Sequence, residues 1–145
     1  RILFLMNINI YINTKKPNSN MKAAMEEYAK RLSAYCKIKL NYLPMQQQRL
    51  QEMIRDTLSR EHSAAYRITQ GTSDFSSEEF ADYLDSMGIQ GISHISFFIG
   101  YPECEPSIPS LSLTQITMSD MLTGVVLCEQ LYRSYRIIYD QPYHK

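Results

Sequence analysis

The stretch Ile92–Gly100, ISHISFFIG, decides the fold. It is almost wholly apolar and closes on a glycine, the pattern of a central strand covered on both faces, as in parallel sheets flanked by helices. The same grammar repeats on its amino side. SSEEFADYLDSMG (76–88) predicts a helix in which Ser76 and Glu79 form a capping box, Phe80, Leu84 and Met87 make a buried stripe, and Gly88 supplies a left-handed stop. Ala64–Ile68 reads as a short strand, and Gln46–Arg60 as a helix with Leu50, Met53, Ile54 and Leu58 inward. Ile38, Leu40 and Tyr42 alternate with Lys37, Lys39 and Asn41 in another strand, closed by Pro44, which has no backbone donor. From a start near Ser19, the apolar residues Ala24, Met25, Tyr28, Leu32 and Tyr35 recur at helical spacing, with Glu26, Glu27, Lys30 and Arg31 opposite.

The opening RILFLMNINIYI (1–12) lacks the cleavage site of a signal peptide and is too short for a bilayer of roughly 30 Å. It reads as a buried strand ending near Asn13, with Met6 as the expected start and Arg1–Leu5 as an upstream extension. On the carboxyl side LSLTQITM (111–118) is a strand-like run, and Ser119–Ile138 a long helix carrying Leu122, Val125, Val126, Tyr132 and Tyr135. Strands alternating with helices call for an α/β fold: one parallel-rich sheet with helices on both faces, in a single domain over 1–145. Ligands of such sheets sit beyond the carboxyl ends of strands, which selects the loops after Ile68, Ile99 and Met118.

Composition narrows function by exclusion. With 15 basic and 15 acidic residues the net charge is zero, so the molecule is no polycation and any contact with nucleic acid must use a local patch. Cys36, Cys104 and Cys128 are odd in number and widely spaced, giving neither a disulfide framework nor a metal knuckle. A reducing cytoplasm, with no metal and no membrane, is the expectation. The chain has no GxSxG, HExxH, GxxxxGK[ST] or GxGxxG. His94 reads as a hydrogen-bonded structural histidine within a strand, and His62 as a solvated residue of a polar turn. Glu129, in an apolar part of the last helix, must be paired, with Arg133 or a second subunit as partner. Tyr132, Tyr135, Ile137, Ile138 and Tyr139 give that helix more apolar faces than one sheet can cover, which points to a homodimer.

FFIG (97–100), SLTQITMSDMLTGVVLCEQLYRSYRI (112–137) and the ending PYHK (142–145) together resemble the carboxyl part of the bacterial RlmH family, SPOUT-superfamily methyltransferases of large-subunit ribosomal RNA. MKAAMEEYAKRLSAYCKIKLNYLP (21–44) and FSSEEFA (75–81) extend the resemblance to nearly the whole chain from Met6. The resemblance implies a C-terminal trefoil knot, a homodimer, S-adenosylmethionine (S-adenosyl-L-methionine) as cofactor, and methylation of N3 of a pseudouridine in 23S rRNA on the assembled ribosome. It places cofactor contacts on Ile68, Gly100, Leu113, Thr114, Gln115, Ile116, Thr117 and Met118. It sets Tyr143, His144 and Lys145 near the cofactor, where they serve the RNA. Arg133, Tyr143 and His144 are the catalytic candidates and Lys145 the substrate contact; His144, Lys145 or Arg133 would stabilise the N3 anion or assist its formation.

The chain departs from the family pattern at several points. GYPECEPSIPS (100–110) carries Tyr101 in place of a second glycine and is about six residues shorter by the same comparison, which puts an aromatic ring within reach of the cofactor space. The family's usual His and Arg at the start of the last helix align with Asp120 and Gly124, in a region expected to face RNA or the dimer partner; Asp120 suits a helix cap. Asn13 stands where a glycine is common. These departures favour a second reading, a non-catalytic knotted homodimer that binds RNA, the ribosome or another partner. A third is a monomeric α/β domain that binds a small molecule.

Overall fold

Strict alternation along the strands divides the molecule into two layers about one sheet. The computed structural model describes residues 5–143. Its elements are β1 (Met6–Ile12), α1 (Ser19–Leu32), β2 (Cys36–Tyr42), α2 (Gln47–Ser59), β3 (Ser63–Thr69), α3 (Ser77–Ile89), β4 (His94–Ile99), β5 (Ser110–Ser112) and α4 (Asp120–Ile138). The strands lie in the order β2-β1-β4-β3-β5, and every pairing is parallel. The α/β class and the parallel sheet are as the sequence implies.

Register lines the apolar residues up in rows. Ile8 pairs with Ile38 and Ile95, and Ile10 with Leu40 and Phe97. These rows face α1, α3 and α4 and form the main core with Met25, Leu32, Phe80, Leu84, Leu127 and Leu131. Each such side chain taken fully from water contributes roughly 1.5–3 kcal/mol. The opposite face carries a smaller core of Met45, Leu50, Ile54, Ala65, Phe98 and Tyr101 beneath α2. Phe97 and Phe98, adjacent in sequence, therefore serve different layers, which is why 92–100 is apolar throughout.

The helix ends follow local chemistry. Asn18 caps α1 by accepting Met21 N–H at 3.0 Å, and the Ser76/Glu79 capping box of α3 is complete. The expected stop at Gly88 is displaced. Gly88 lies inside α3, and Gly91, at φ +94°, takes the left-handed position while Ile92 N–H donates to Met87 O at 3.0 Å. Leu58, expected inward, is exposed at the last turn of α2.

Two further expectations change. The strand over 111–118 is only Ser110–Ser112, because the chain beyond it leaves the ladder where β3 ends at Thr69. The tyrosines of α4 that the sequence leaves uncovered find cover within the chain: Tyr35, in the turn after α1, stacks on Tyr135 (centroids 5.4 Å apart) and touches Tyr132 and Tyr139, and Tyr28 of α1 meets Tyr132. Among the described residues the three cysteines are free. Burial pushes the Cys36 and Cys128 thiols up to about 12, which keeps them protonated and inert. No helix among the described residues is long and apolar enough to cross a membrane.

Candidate active site

Both candidate regions lie along α4, one at each end. At the amino end, the carboxyl ends of β1, β3, β4 and β5 meet, as the sheet rule requires. The Asn13 amide donates to Gly100 O at 3.1 Å, joining the ends of β1 and β4. Gly100 has φ +84°, and a Cβ there would lie 2.3 Å from Asp120 Oδ2. The left-handed φ favours glycine there, and a side chain would also have to displace the Asp120 carboxylate. The cap of α4 is Ser119, whose Oγ accepts Leu122 N–H at 3.2 Å, so Asp120 does not cap the helix; its carboxylate rests over Gly100.

The segment 113–118 is held by side chains of the loop after β3. Gln70 Nε2 donates to Met118 O at 2.9 Å and Thr123 Oγ1 at 2.7 Å, and Gln70 Oε1 accepts Met118 N–H. Asp74 Oδ2 accepts Ser112 N–H at 2.8 Å, and Gly71 N–H donates to Thr114 O at 3.1 Å. Ile116 N–H is taken by Thr114 Oγ1 at 3.1 Å. The main-chain N–H and C=O groups of Gln115 and Thr117 make no hydrogen bond among the described residues, and both residues are exposed. A loop so fixed offers ready donors and acceptors to the edge of a planar heterocycle at little ordering cost. Leu113 and Met118 are half-buried beside it, Ile68 lies buried in β3, and Ile116 is 72 % exposed. The residues implied for the cofactor thus converge, and their chemistry fits an adenine-bearing ligand. Gln70 and Asp74 were missed by sequence reasoning. Their only signal is position, just beyond a strand's carboxyl end.

Tyr101 does not enter this space. Its ring is buried in the α2 layer, edge-on to Phe98, and its hydroxyl donates to Leu43 O. Ile68 and Leu113 belong to the other layer.

At the carboxyl end, α4 stops at Ile138 and the chain reverses through Asp140, at φ +53°. Arg136 secures the reversal, donating from Nη2 and Nε to Pro142 O at 2.6 and 3.0 Å. Tyr143 thereby returns along the helix, its ring 4.5 Å from the Arg133 guanidinium and edge-on to Tyr132. Arg133 Nε donates to Glu129 Oε2 at 3.1 Å, the pairing that a carboxylate in that stretch demands. Burial, then the Glu129 carboxylate beside it, raises the Tyr143 phenol above its ordinary range, so at neutral pH it is a donor and no base. With Tyr28 and Arg31 of α1 these residues line an open groove of about 470 Å³. His144 and Lys145 lie outside the described residues.

The two regions are not one site within this chain. Asp120 and Arg133 are thirteen residues apart on α4, or roughly 20 Å at 1.5 Å per residue.

The sequence profile of the family described as "Predicted SPOUT methyltransferase" matches residues 6–144. The chain belongs to the SPOUT methyltransferase family. Within it, the chain is similar to proteins named ribosomal RNA large subunit methyltransferase H. That of Acetivibrio thermocellus is 35% identical over 161 residues, covering 97% of this chain and 100% of the relative. Those of Clostridium botulinum strain Eklund 17B and Clostridium perfringens strain SM101, the latter named methyltransferase H 1, are 32% and 29% identical with the same coverage. Gly124, where the sequence suggests a missing positive group facing RNA or a partner, is buried in the core. A Cβ there would lie 2.7 Å from Ile12 Cδ1 and 2.8 Å from Met25 Cε, so position 124 faces the core and neither RNA nor a dimer partner.

Proposed function

We propose that this SPOUT chain is an S-adenosylmethionine-dependent methyltransferase of 23S rRNA, acting in the cytoplasm on N3 of a pseudouridine in the assembled ribosome. The observation that carries the reading is the 113–118 loop, pinned by Gln70 with the main chain of Gln115 and Thr117 unpaired. Names of relatives that cover 97% of the chain support the rRNA substrate. When bound, S-adenosylmethionine supplies a methyl group on a sulfonium that is already its own leaving group. Gly100 and the main chain of Gln115 and Thr117 would hold it, with Leu113 and Met118 as apolar walls. Ile68 supports the loop from within the sheet.

The chain's own residues then have one electrostatic task. A pseudouridine N3–H is weakly acidic, and its anion needs a fixed cation beside it. Arg133 is that cation: Glu129 orients it, and the protonated Tyr143 beside Glu129 and the guanidinium keeps the pair packed. His144 and Lys145, next in the tail, would contact the RNA. Since Arg133 and the loop lie roughly 20 Å apart in one chain, the reaction needs a second copy whose Arg133 groove meets this chain's loop. This favours a homodimer in which each site is composite, with the 113–118 loop and α4 forming the C-terminal trefoil knot. Two of the features behind the non-catalytic reading, Tyr101 and Gly124, turn into the core, while the shortened loop and Asp120 remain.

Calorimetry with S-adenosylmethionine tests the cofactor. A Kd well below 1 mM is expected, and no heat at millimolar donor, about 4 kcal/mol of binding free energy, would overturn it. Mass spectrometry of rRNA from a deletion strain tests the substrate. One methyl group should be missing from a pseudouridine, and unchanged rRNA would defeat that assignment.

A further inference from the structure

The face of the sheet under α2 is only partly covered. α2 packs on β3, while on β1 and β2 the residues of that face stay open: Asn7, Asn9 and Tyr11 are half-buried, and Lys37 and Lys39 are exposed. Register sets them in rows. Lys37, Asn7, His94 and Ser63 run across the four strands, followed by Lys39, Asn9, Ser96 and Ala65. Between these rows and the last turns of α2 lies a cleft of about 350 Å³.

Its chemistry is that of an open polar site. The Tyr11 ring, backed by Phe98 at 5.0 Å and 11°, is a rigid flat wall. The Ser63 hydroxyl is buried without a hydrogen-bond partner among the described residues. The His94 side chain, expected to be bonded as a core histidine, is half-buried and makes no hydrogen bond among the described residues. The Arg60 guanidinium stands at the rim. Lys37 and Lys39 make no ion pair among the described residues; the one acidic group in the cleft is Asp56. A neutral molecule thus carries here a local excess of cations beside an aromatic wall and unpaired polar groups. That combination suits a chain of phosphates with unstacked bases.

We propose that this face docks a single-stranded segment of RNA, one base lying against Tyr11 with its edge toward His94 and Ser63, and successive phosphates on Arg60, Lys39 and Lys37. The proposal rests on the proposed function only in taking RNA as the substrate class; it lies on the opposite face of the sheet from the helices that carry the Arg133 groove. The test is fluorescence anisotropy of a fluorescein-labelled eight-nucleotide oligouridylate, without methyl donor, titrated across salt concentrations. Lys37→Gln with Lys39→Gln, both at exposed positions, should weaken binding about tenfold at low salt and make the log–log salt slope shallower by about 1.4, near 0.7 per lost phosphate contact. His94→Ala should weaken binding with the slope unchanged. Wild-type affinity and slope in the double variant would overturn the proposal. So would an oligomer bound no tighter than AMP, since the phosphate chain would then add nothing. Donor calorimetry on the same samples separates the two ideas: lost donor heat with oligomer binding intact breaks the enzyme reading and leaves this surface standing, and the converse breaks only the surface.

Discussion

The two ends of α4 present different chemistry. At its amino end the loop 113–118 presents chiefly main chain, locked by Gln70, with Leu113 and Met118 half-buried at its sides. At its carboxyl end the helix presents side chains, with Arg133, Glu129 and Tyr143 held in one another's contact. Main-chain recognition tolerates changes of residue as long as the loop keeps its path. Side-chain recognition does not.

The contrast is easiest to break at Arg133. Arg133→Ala should lower the rate of methyl transfer about 100-fold or more, with donor affinity by calorimetry unchanged; a matching fall in donor affinity would erase the division between the two ends. Gln70→Ala should act the other way. Losing its bonds leaves the main-chain N–H and C=O of Met118 unpaired, each costing about 1–3 kcal/mol where buried, and the loosened loop should bind donor roughly tenfold more weakly. An unchanged Kd would mean that the loop needs no pin. The smallest effect belongs to Tyr101→Phe, which removes only the hydrogen bond to Leu43 O. Thermal unfolding should register about 1 kcal/mol of lost stability, and donor Kd should stay as it is. A change in Kd would put the ring back in the cofactor space.

Most of the sheet was legible because its signals are local. Alternation in 6–12 and 36–42, the Ser76/Glu79 box and the doubly apolar 92–100 each state their own structure. What escaped depends on partners distant in sequence. Ser110–Ser112 is a strand only while β3 lies beside it, and its periodicity runs on to Met118 although the ladder does not. Tyr101 could not be oriented without knowing that Leu43 O awaits its hydroxyl. Gly124 read as a lost charge, whereas the fold buries it against the ends of the Ile12 and Met25 side chains. Gln70 carries no motif, and its role appears only when the loop it clamps is in place. For the candidate site, the tail and the loop are readable as positions, but their separation along α4 follows only from the length of the helix between them.

The central claim is that neither end of α4 in one chain makes a complete site. It is tested most directly by mixing two variants, Gly100→Ala and Arg133→Ala, and measuring methyl transfer to ribosomes from the deletion strain. Each variant alone should be nearly inactive. After subunit exchange half the dimers carry one lesion per chain, and each of these keeps one intact composite site, so activity should recover to about a quarter of wild type. A mixture as inactive as its components would contradict the account, because it would mean that each chain catalyses with its own Arg133 alone.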